Sequence, residues 1–527
     1  MSNEGPLFLG IDLSTQQIKC VVINSENQVV YRHGVNFSNH EELKEFGTKD
    51  GVQITPENDG QKITSPVKMW LRSIDILFSN LMKSGLSSRI QGISGCAQQH
   101  GTVYWKNGAK DILKNLKGDE SLEKQLETAF SVQDSPVWMD SSTQKQCNDL
   151  ENFVGGPEKM THLTGSRAHH RFSGPQIKKL VDLSPEVYTI TERISIISSF
   201  FSSILVGKYA GVDWSDASGT NLMNIETKTW NRGILEFIDE GLEGKLGELV
   251  DPQISLGSIH QFWTNRYSLP QTCQILPFLG DNPSSLAGLS LLPNDIGVSL
   301  GTSDTVFFHT NIYKYSIDAH VFAYNNEYMP LVCFKNGSLT RERARRLGEC
   351  ADWSSFHEIL AQTPIGNDGK LGFFFDSDEI APNIRKGDQL FGANSEISEC
   401  FDSLTTCRAI FESQCYSKLL YTKKMGADLK NARLIVTGGA SKNLALLQML
   451  SDVFNCPVFT IHVEDSAALG GAMRAKYDHF KSTTSLPYHT YFANANQLTP
   501  SASPIPENVK IYQNYFSNFD KCFSRLK

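Results

Sequence analysis

Two short stretches far apart in the chain nearly repeat each other: Gly10-Ile11-Asp12-Leu13-Ser14-Thr15 and Gly297-Val298-Ser299-Leu300-Gly301-Thr302. Each passes from apolar residues into small and hydroxyl-bearing ones. That is the pattern of a strand-turn-strand whose backbone N–H groups can come close to phosphate oxygens. A second pair follows in the same order, Ile93-Ser94-Gly95-Cys96-Ala97 and Val436-Thr437-Gly438-Gly439-Ala440. Two matched pairs in matching order constrain the chain to a duplicated fold. The copies differ where Asp12 in the first stands against Ser299 in the second, so only the first can hold a cation against a phosphate chain. Read alone, Asp12 is equally a turn-capping carboxylate.

A chain of 527 residues is too long for one core and suggests two or more units. With 40% apolar and 20% charged residues it reads as an ordinary globular protein. A net charge of −8 argues against a nucleic-acid partner. The one dense basic run, Arg341-Glu342-Arg343-Ala344-Arg345-Arg346, reads as a solvated helix face. The start of the chain lacks a signal-peptide pattern and no apolar run approaches about 18 residues, so a cytoplasmic protein without a membrane partner is expected. Eleven scattered cysteines with no C-x-x-C pair fit reduced thiols.

Alternating and continuous apolar residues predict two adjacent strands over 7–13 and 18–23, joined by Ser14-Thr15-Gln16-Gln17. A polar stretch over 36–65 reads as an exposed excursion. Val67, Met69, Trp70, Ile74, Leu77 and Leu81 recur at helical spacing before a strand at 90–94. Residues 119–132 read as a surface insertion and 136–140 as a short strand. A boundary falls near 290, giving an N-terminal lobe over 6–290, a C-terminal lobe over 291–480, and a closing loop and helix over 481–527, where Tyr512, Tyr515, Phe516, Phe519 and Phe523 repeat at helical spacing.

No G-x-x-x-x-G-K-[ST] sequence and no G-x-G-x-x-G after a strand is present, so phosphate must be held another way. Ser14, Thr15 and Gln16 in one turn, and Gly301, Thr302 and Ser303 in the other, offer hydroxyls and backbone N–H groups for this, with Asp12 positioning Mg²⁺. Asp281, in Gly280-Asp281-Asn282-Pro283, ends an apolar segment and opens a helix-like one. It is a helix-capping acid if judged alone, and a candidate base for a substrate hydroxyl if phosphate lies near.

In order along the chain, Asp12-Leu13-Ser14-Thr15-Gln16-Gln17, Gln98-Gln99-His100-Gly101, Val137-Trp138-Met139-Asp140-Ser141-Ser142, Leu163-Thr164-Gly165-Ser166-Arg167-Ala168, Gly280-Asp281-Asn282, Ser299-Leu300-Gly301-Thr302-Ser303-Asp304 and Thr437-Gly438-Gly439-Ala440-Ser441 resemble the FGGY carbohydrate kinases. The likeness is greatest to the eukaryotic branch acting on the ketose D-xylulose. The resemblance implies a two-lobed α/β fold of the duplicated actin/hexokinase-like (ribonuclease H-like) kind, closing over ATP and sugar in a central cleft. It implies Asp281 as the general base and a substrate contact, Gln99, His100, Arg171 and Asn282 as ketose ligands, and Asp140 as a further one. It also implies Gly438, Gly439, Ala440 and Asn443 as the adenosine loop, and Trp353 as a nucleotide contact. The expected reaction is phosphorylation of D-xylulose at its terminal hydroxyl by Mg-ATP, in a monomer or weak homodimer.

The eukaryotic pattern implies an aromatic and an acid just before Arg171, where this chain has His169 and His170. Adjacent histidines point in different directions and do not make a metal site by themselves. The departure leaves open another ketose, or a polyol, as substrate. A nucleotide-dependent interaction ATPase and a sugar-binding regulator without catalysis are the competing readings, because fold alone does not fix function.

Overall fold

The computed structural model describes residues 5–57 and 60–526, so the very N-terminus read above for a leader lies outside the described residues. Two compact units result. The first takes the described residues up to Ser290 together with Phe322–Asn326 and Val463–Ala495; the second takes Leu291–Val321, Glu327–His462 and the chain from Asn496 onward. Among the described residues no helix is long and apolar enough to cross a membrane.

The first unit is built on a sheet containing β1 (Leu7–Leu13), β2 (Gln17–Ile23), β3 (Val29–Asn36), β4 (Ile90–Ala97), β5 (Gly257–Ser258), β6 (Gln274–Ile275) and β7 (Leu279–Gly280). They stand in the order β5-β6-β4-β1-β2-β3, with β7 also paired to β4. β1 is buried along its whole length, as expected of a central strand carrying Leu7, Phe8, Leu9, Ile11 and Leu13. It is antiparallel to β2 and parallel to β4. β7 is also parallel to β4, pairing Gly280 with Ala97. The C-terminal ends of β1, β4 and β7 therefore lie together, the end of a parallel sheet where ligands are generally bound. The expected helix is present as Val67–Lys83, its apolar face buried with Trp70, Leu77 and Phe78 in the core of this unit.

The second unit repeats the plan. β8 (Asp295–Leu300) is antiparallel to β9 (Asp304–Phe307) and parallel to β11 (Arg433–Thr437), while β9 pairs with β10 (Glu327–Phe334). Asp12 stands opposite Cys96, and Ser299 stands opposite Thr437. The hairpin repeat is thus confirmed, while the second pair of sequence matches is shifted by two residues. In the first unit the small residues lie inside β4; in the second they fall beyond the end of β11, where Gly438 takes φ +90°. A side chain there would also meet Leu300 O at 2.4 Å, so glycine is required on both counts. The closing helix Pro506–Phe523 carries Tyr512, Phe519 and Phe523 into the core of the second unit, with Phe519 stacked on Tyr416.

Several local expectations are corrected. The stretch 36–65 is not one loop: Gln53–Glu57 pairs with Gly60–Pro66, which in turn pairs with Asp134–Pro136. The outer half of this pair, residues 54–57 and 60–62, is exposed at every position, so its composition mimics a loop. The short strand expected over 136–140 is therefore Asp134–Pro136, and residues 119–132 bury Leu122, Leu126, Ala129 and Phe130 rather than lying wholly on the surface.

The helix Ser466–Phe480 comes from late in the chain yet packs against β1, β4 and the helix Asp281–Leu289. It does so backbone to backbone. A methyl group on Gly10 would stand 1.8 Å from Ala468 O, one on Gly288 2.0 Å from Ser466 O, and one on Gly470 1.9 Å from Ser284 O. Overpacking of this kind costs about 1–3 kcal/mol. Gly470→Ala is expected to lower the melting temperature, whereas Gly244→Ala, which adds its methyl into open space, is not; thermal unfolding of the two variants side by side checks this.

Candidate active site

The hairpin β1–β2 places Lys19 directly across from Asp12. Asp12 is buried, with one oxygen, Oδ2, accepting from the Ser14 hydroxyl at 2.6 Å and lying 3.7 Å from Lys19 Nζ. Its other oxygen, Oδ1, has the Cys96 thiol at 3.5 Å. Burial raises the Asp12 carboxyl above its usual range, opposed by the Ser14 hydroxyl and the Lys19 ammonium. Lys19 is shared with Asp465 at 3.0 Å. A buried carboxylate beside a hydroxyl is a hard-oxygen donor set of the kind Mg²⁺ uses together with phosphate oxygens. Among the described residues no cluster of three or more His, Cys, Asp or Glu side chains makes a metal cage, so Asp12 fits a metal that takes most of its ligands from elsewhere.

Asp281 is the first residue of the helix Asp281–Leu289, immediately after β7, with Gly280 as the capping residue. Its Oδ1 accepts from the Asn282 backbone at 2.8 Å and from Asn282 Nδ2 at 2.9 Å. Burial, and then the nearby Asp12 carboxylate, push the Asp281 carboxyl up to about 7 despite these bonds. The same Asn282 Nδ2 donates to Gln99 Oε1 at 2.9 Å. Gln99 and His100 follow β4, so the three converging strand ends bring Asp12, Gln99, His100, Asp281 and Asn282 into one region.

His100 is held in a left-handed conformation with φ +76°. Backbone of this kind in a non-glycine residue costs of order 1–3 kcal/mol and is held in place by its surroundings. Here the surroundings are explicit: Ser173 Oγ donates to His100 O at 2.8 Å, the ring stacks on Phe172 at 4.3 Å, and Nδ1 lies 2.8 Å from Gly219 O. A carbonyl only accepts, so Nδ1 carries the proton and a neutral ring presents Nε2 as an acceptor. The Arg171 guanidinium lies over the same Phe172 ring at 5.7 Å. Phe172 is fully buried and organises both residues, and sequence reading passed over it.

Asp140 is tied into the protein: its Oδ1 accepts from Ser142 N, Ser142 Oγ and Gln176 Nε2, and its Oδ2 from Ile63 N. Gln176 Nε2 also donates to His170 O, which places Asp140 one step behind the segment carrying Arg171. The neighbouring histidines go separate ways, His170 Nε2 to Gln144 Oε1 at 2.6 Å and the His169 ring against Phe172.

In the first turn Ser14 N donates to Gln17 O, Thr15 Oγ1 donates to Gln98 Oε1 at 3.1 Å and accepts from Trp138 Nε1 at 2.8 Å, and Gln16 is exposed. In the turn after β8, Thr302 and Ser303 are exposed, while the carbonyls of Gly301 and Thr302 are taken by Ser338 N and Gly337 N. Behind this turn lies a correction to the reading of the basic run. Arg341 is not on a solvated face: it is buried, bonded through both terminal nitrogens to Asp304, which also meets Lys418 Nζ at 2.8 Å. Burial opposes the Asp304 charge, but Lys418 and Arg341 together hold its carboxyl below the usual range. Arg341 also donates to Gly301 O, tying the ion cluster to the turn.

Gly438, Gly439 and Ala440 form the turn after β11, and Asn443 caps the helix Leu444–Phe454 by accepting from Leu446 N. Trp353 opens the helix Trp353–Ala361, partly exposed, with its ring edge-on to Phe356. It shares no hydrogen bond or ring contact with 438–443 among the described residues. Of the residues missed by sequence reading, Lys19 was accessible, because closing the hairpin through residues 14–17 sets it opposite Asp12. Phe172, Arg341 and Lys418 carried no signal beyond their residue types.

Comparison with known proteins follows this geometry. The model of the N-terminal domain of the FGGY family of carbohydrate kinases matches residues 123–288, and that of the C-terminal domain matches 296–479. Xylulose kinase of Mus musculus is 40% identical over 509 residues, covering 96% of this chain and 91% of that protein. Xylulose kinase 2 of Arabidopsis thaliana is 42% identical over 489 residues, covering 89% and 87%. The crystal structure of xylulose kinase from Rhodospirillum rubrum superposes with a TM-score of 0.78 at 14% identity, covering 98% of each chain.

The raised Asp281 carboxyl has a consequence for stability. An unfolded aspartate loses its proton near pH 4 and the folded one near pH 7. Between these values the native state binds more protons than the unfolded state, so this group makes stability fall as pH rises across the window. Asp281→Asn is expected to melt at a higher temperature than wild type, by a margin that opens from about pH 4 and levels off above about pH 7. Melting curves of both proteins across that range measure the effect.

Proposed function

This chain belongs to the FGGY family of carbohydrate kinases, and on that premise we propose that it transfers the γ-phosphoryl group of ATP to the terminal hydroxyl of D-xylulose, giving D-xylulose 5-phosphate. The near full-length similarity to xylulose kinases of mouse and Arabidopsis supports the sugar. The observation that carries the chemistry is Asp281, a helix-opening carboxyl with a proton affinity near neutrality, close to Asp12 and joined through Asn282 to Gln99.

In this reading Asp281 accepts the proton of the sugar hydroxyl as its oxygen attacks the γ-phosphorus. A base whose pKa lies near the working pH is both available and strong enough to take a proton. A ketose offers hydroxyls and one carbonyl, so its recognition needs mixed donors and acceptors. His100 through Nε2, Gln99, Asn282 and Arg171 supply them. Asp140 supports the Arg171 segment through Gln176 and His170 O. Mg²⁺ would be held by Asp12, where it would neutralise charge developing on the phosphate oxygens. Ser14, Thr15, Gln16, Gly301, Thr302 and Ser303 are assigned to the phosphates. Gly438, Gly439, Ala440, Asn443 and Trp353 are assigned to the nucleoside. The Asp304–Arg341–Lys418 cluster keeps the 301–303 turn in place without touching substrate.

Eleven cysteines that form no disulfide support a reducing compartment such as the cytosol. We read the protein there as a monomer or weak homodimer, which light scattering after size exclusion tests. The test of function is ADP release with Mg-ATP and D-xylulose, L-xylulose, D-ribulose, ribitol, D-xylose or glycerol, against a control without sugar. Stimulation by D-xylulose above the others is expected. Preference for another member would move the substrate assignment toward the His169-His170 departure, and ATP turnover indifferent to every sugar would overturn the kinase reading. Asp281→Asn is expected to lower turnover by at least about 10²-fold, the lower range for loss of a general base, while D-xylulose binding measured by calorimetry persists.

A further inference from the structure

Asp216 lies in the helix Trp214–Ala217, far in sequence from every residue assigned above, and is completely buried. Its Oδ2 accepts from the Ser198 hydroxyl at 2.5 Å. Its Oδ1 is buried with no hydrogen-bond partner among the described residues, and the same holds for Gln99 Nε2. These two atoms form a complementary acceptor and donor, and the segment after Asp216 closes on the amide, a methyl group on Gly219 standing 3.8 Å from Gln99 Nε2; burial raises the Asp216 carboxyl well above its usual range, and the Gln99 amide opposes the shift. Room for the amide comes from Gly280, where a methyl group would stand 2.4 Å from Gln99 Nε2. The helix itself is fixed by Asp213, which accepts from Ser215 N and Asp216 N. The same segment continues to Gly219, whose carbonyl holds His100 Nδ1, so Gln99 and His100 are both braced from 216–219.

An amide side chain has a direction. Gln99 Oε1 accepts from Asn282 Nδ2, so its N–H₂ must face the other way. An acceptor at Asp216 Oδ1 favours that orientation, and a donor there would reverse it. Reversal would put Gln99 N–H₂ against Asn282 N–H₂, and Asn282 could relieve the clash only by turning its oxygen to Gln99. The group then facing Gln99 would no longer be the N–H₂ that also serves Asp281. Asp216 Oδ1 is an acceptor whether the carboxyl is ionised or carries its proton on Oδ2 toward Ser198, so the argument does not depend on its charge.

We propose that Asp216 is a positioning residue for the sugar site, setting the direction of the Gln99 amide and through it the Asn282 bond to Asp281. It touches neither substrate nor the transferred group. The proposal rests on the sugar-kinase reading for its catalytic consequence, and on the geometry alone for the contact between Asp216 and Gln99.

The experiment is a double-mutant cycle in the full chain with Gln99→Glu and Asp216→Asn, run at pH 8. Gln99→Glu alone sets two buried carboxyls against each other. The pair Gln99→Glu with Asp216→Asn restores one donor and one acceptor with the charge exchanged. Gln99→Glu is expected to raise the D-xylulose KM or lower kcat so that kcat/KM for the ketose falls at least tenfold, with the KM for ATP within twofold of wild type. The double variant is expected to regain at least fivefold of that loss. Melting temperatures, taken without substrate, are expected to follow the same pattern. Failure of Asp216→Asn to recover the melting temperature of Gln99→Glu overturns the contact, and recovery of melting with equal losses for ketose and ATP overturns the positioning role. A wild-type protein without sugar-stimulated ADP release would sink the functional reading instead, leaving the contact to be decided by the melting cycle.

Discussion

The first unit depends on the approach of the helix Ser466–Phe480 to β1, β4 and the helix Asp281–Leu289. Peptide groups meet there with no side chain between them, because glycine stands at each point of closest approach. Such contacts have little slack: packed interiors have crystal-like density and answer a single added carbon with displacement of the backbone. Asp12 sits near the end of one packed element and Asp281 at the start of another. The separation of the two carboxylates is thereby set by main-chain packing, and side-chain flexibility has little say in it.

That packing accounts for the electrostatics. Burial raises the proton affinity of both acids, and the nearby Asp12 carboxylate adds to the effect at Asp281. Lys19 and Ser14 soften the cost at Asp12, and Asp281 has only the amide groups of Asn282. The two carboxyls are thus unequally supported, Asp12 by a hydroxyl and an ammonium and Asp281 by amide groups. The second unit solves the opposite problem. Asp304 is fully enclosed and stays ionised because Arg341 and Lys418 both reach it, and its reward is a fixed turn at 301–303.

The sequence made much of this legible, for identifiable reasons. The hairpin repeat could be read because strands bearing Leu7 to Leu13 and Ile296 to Leu300 are mostly apolar and lead into small residues, a local pattern that tertiary structure does not override. The second repeat was read two residues out of place, since Gly-rich strings look alike whether they lie inside a strand or just past it. The Arg341 run misled because composition reports charge but not its counter-ion: Asp304 and Lys418 are distant in sequence. The partners of Asp140, Ile63 and Gln176, were invisible locally for the same reason. Asp216 had no distinguishing mark at all. The family resemblance supplied the candidate residues, and the folded chain showed which side chains surround them.

One feature of the chain path bears on how the molecule is made. The first unit contains Val463–Ala495 as an integral part, and Phe8, Val21 and Ile23 are covered by Ala468, Leu469, Ala472 and Met473. On a ribosome, the stretch up to Ser290 emerges with that face of its sheet bare. At about 5–20 residues per second, synthesis of the intervening second unit takes on the order of 10–30 s. During that interval an apolar sheet face awaits a helix not yet translated, and the second unit in turn still lacks Tyr512, Phe519 and Phe523 of its closing helix. Neither unit is complete until the last part of the chain is made, and the nascent chain must be kept from pairing that open face with another molecule until the helix Ser466–Phe480 arrives.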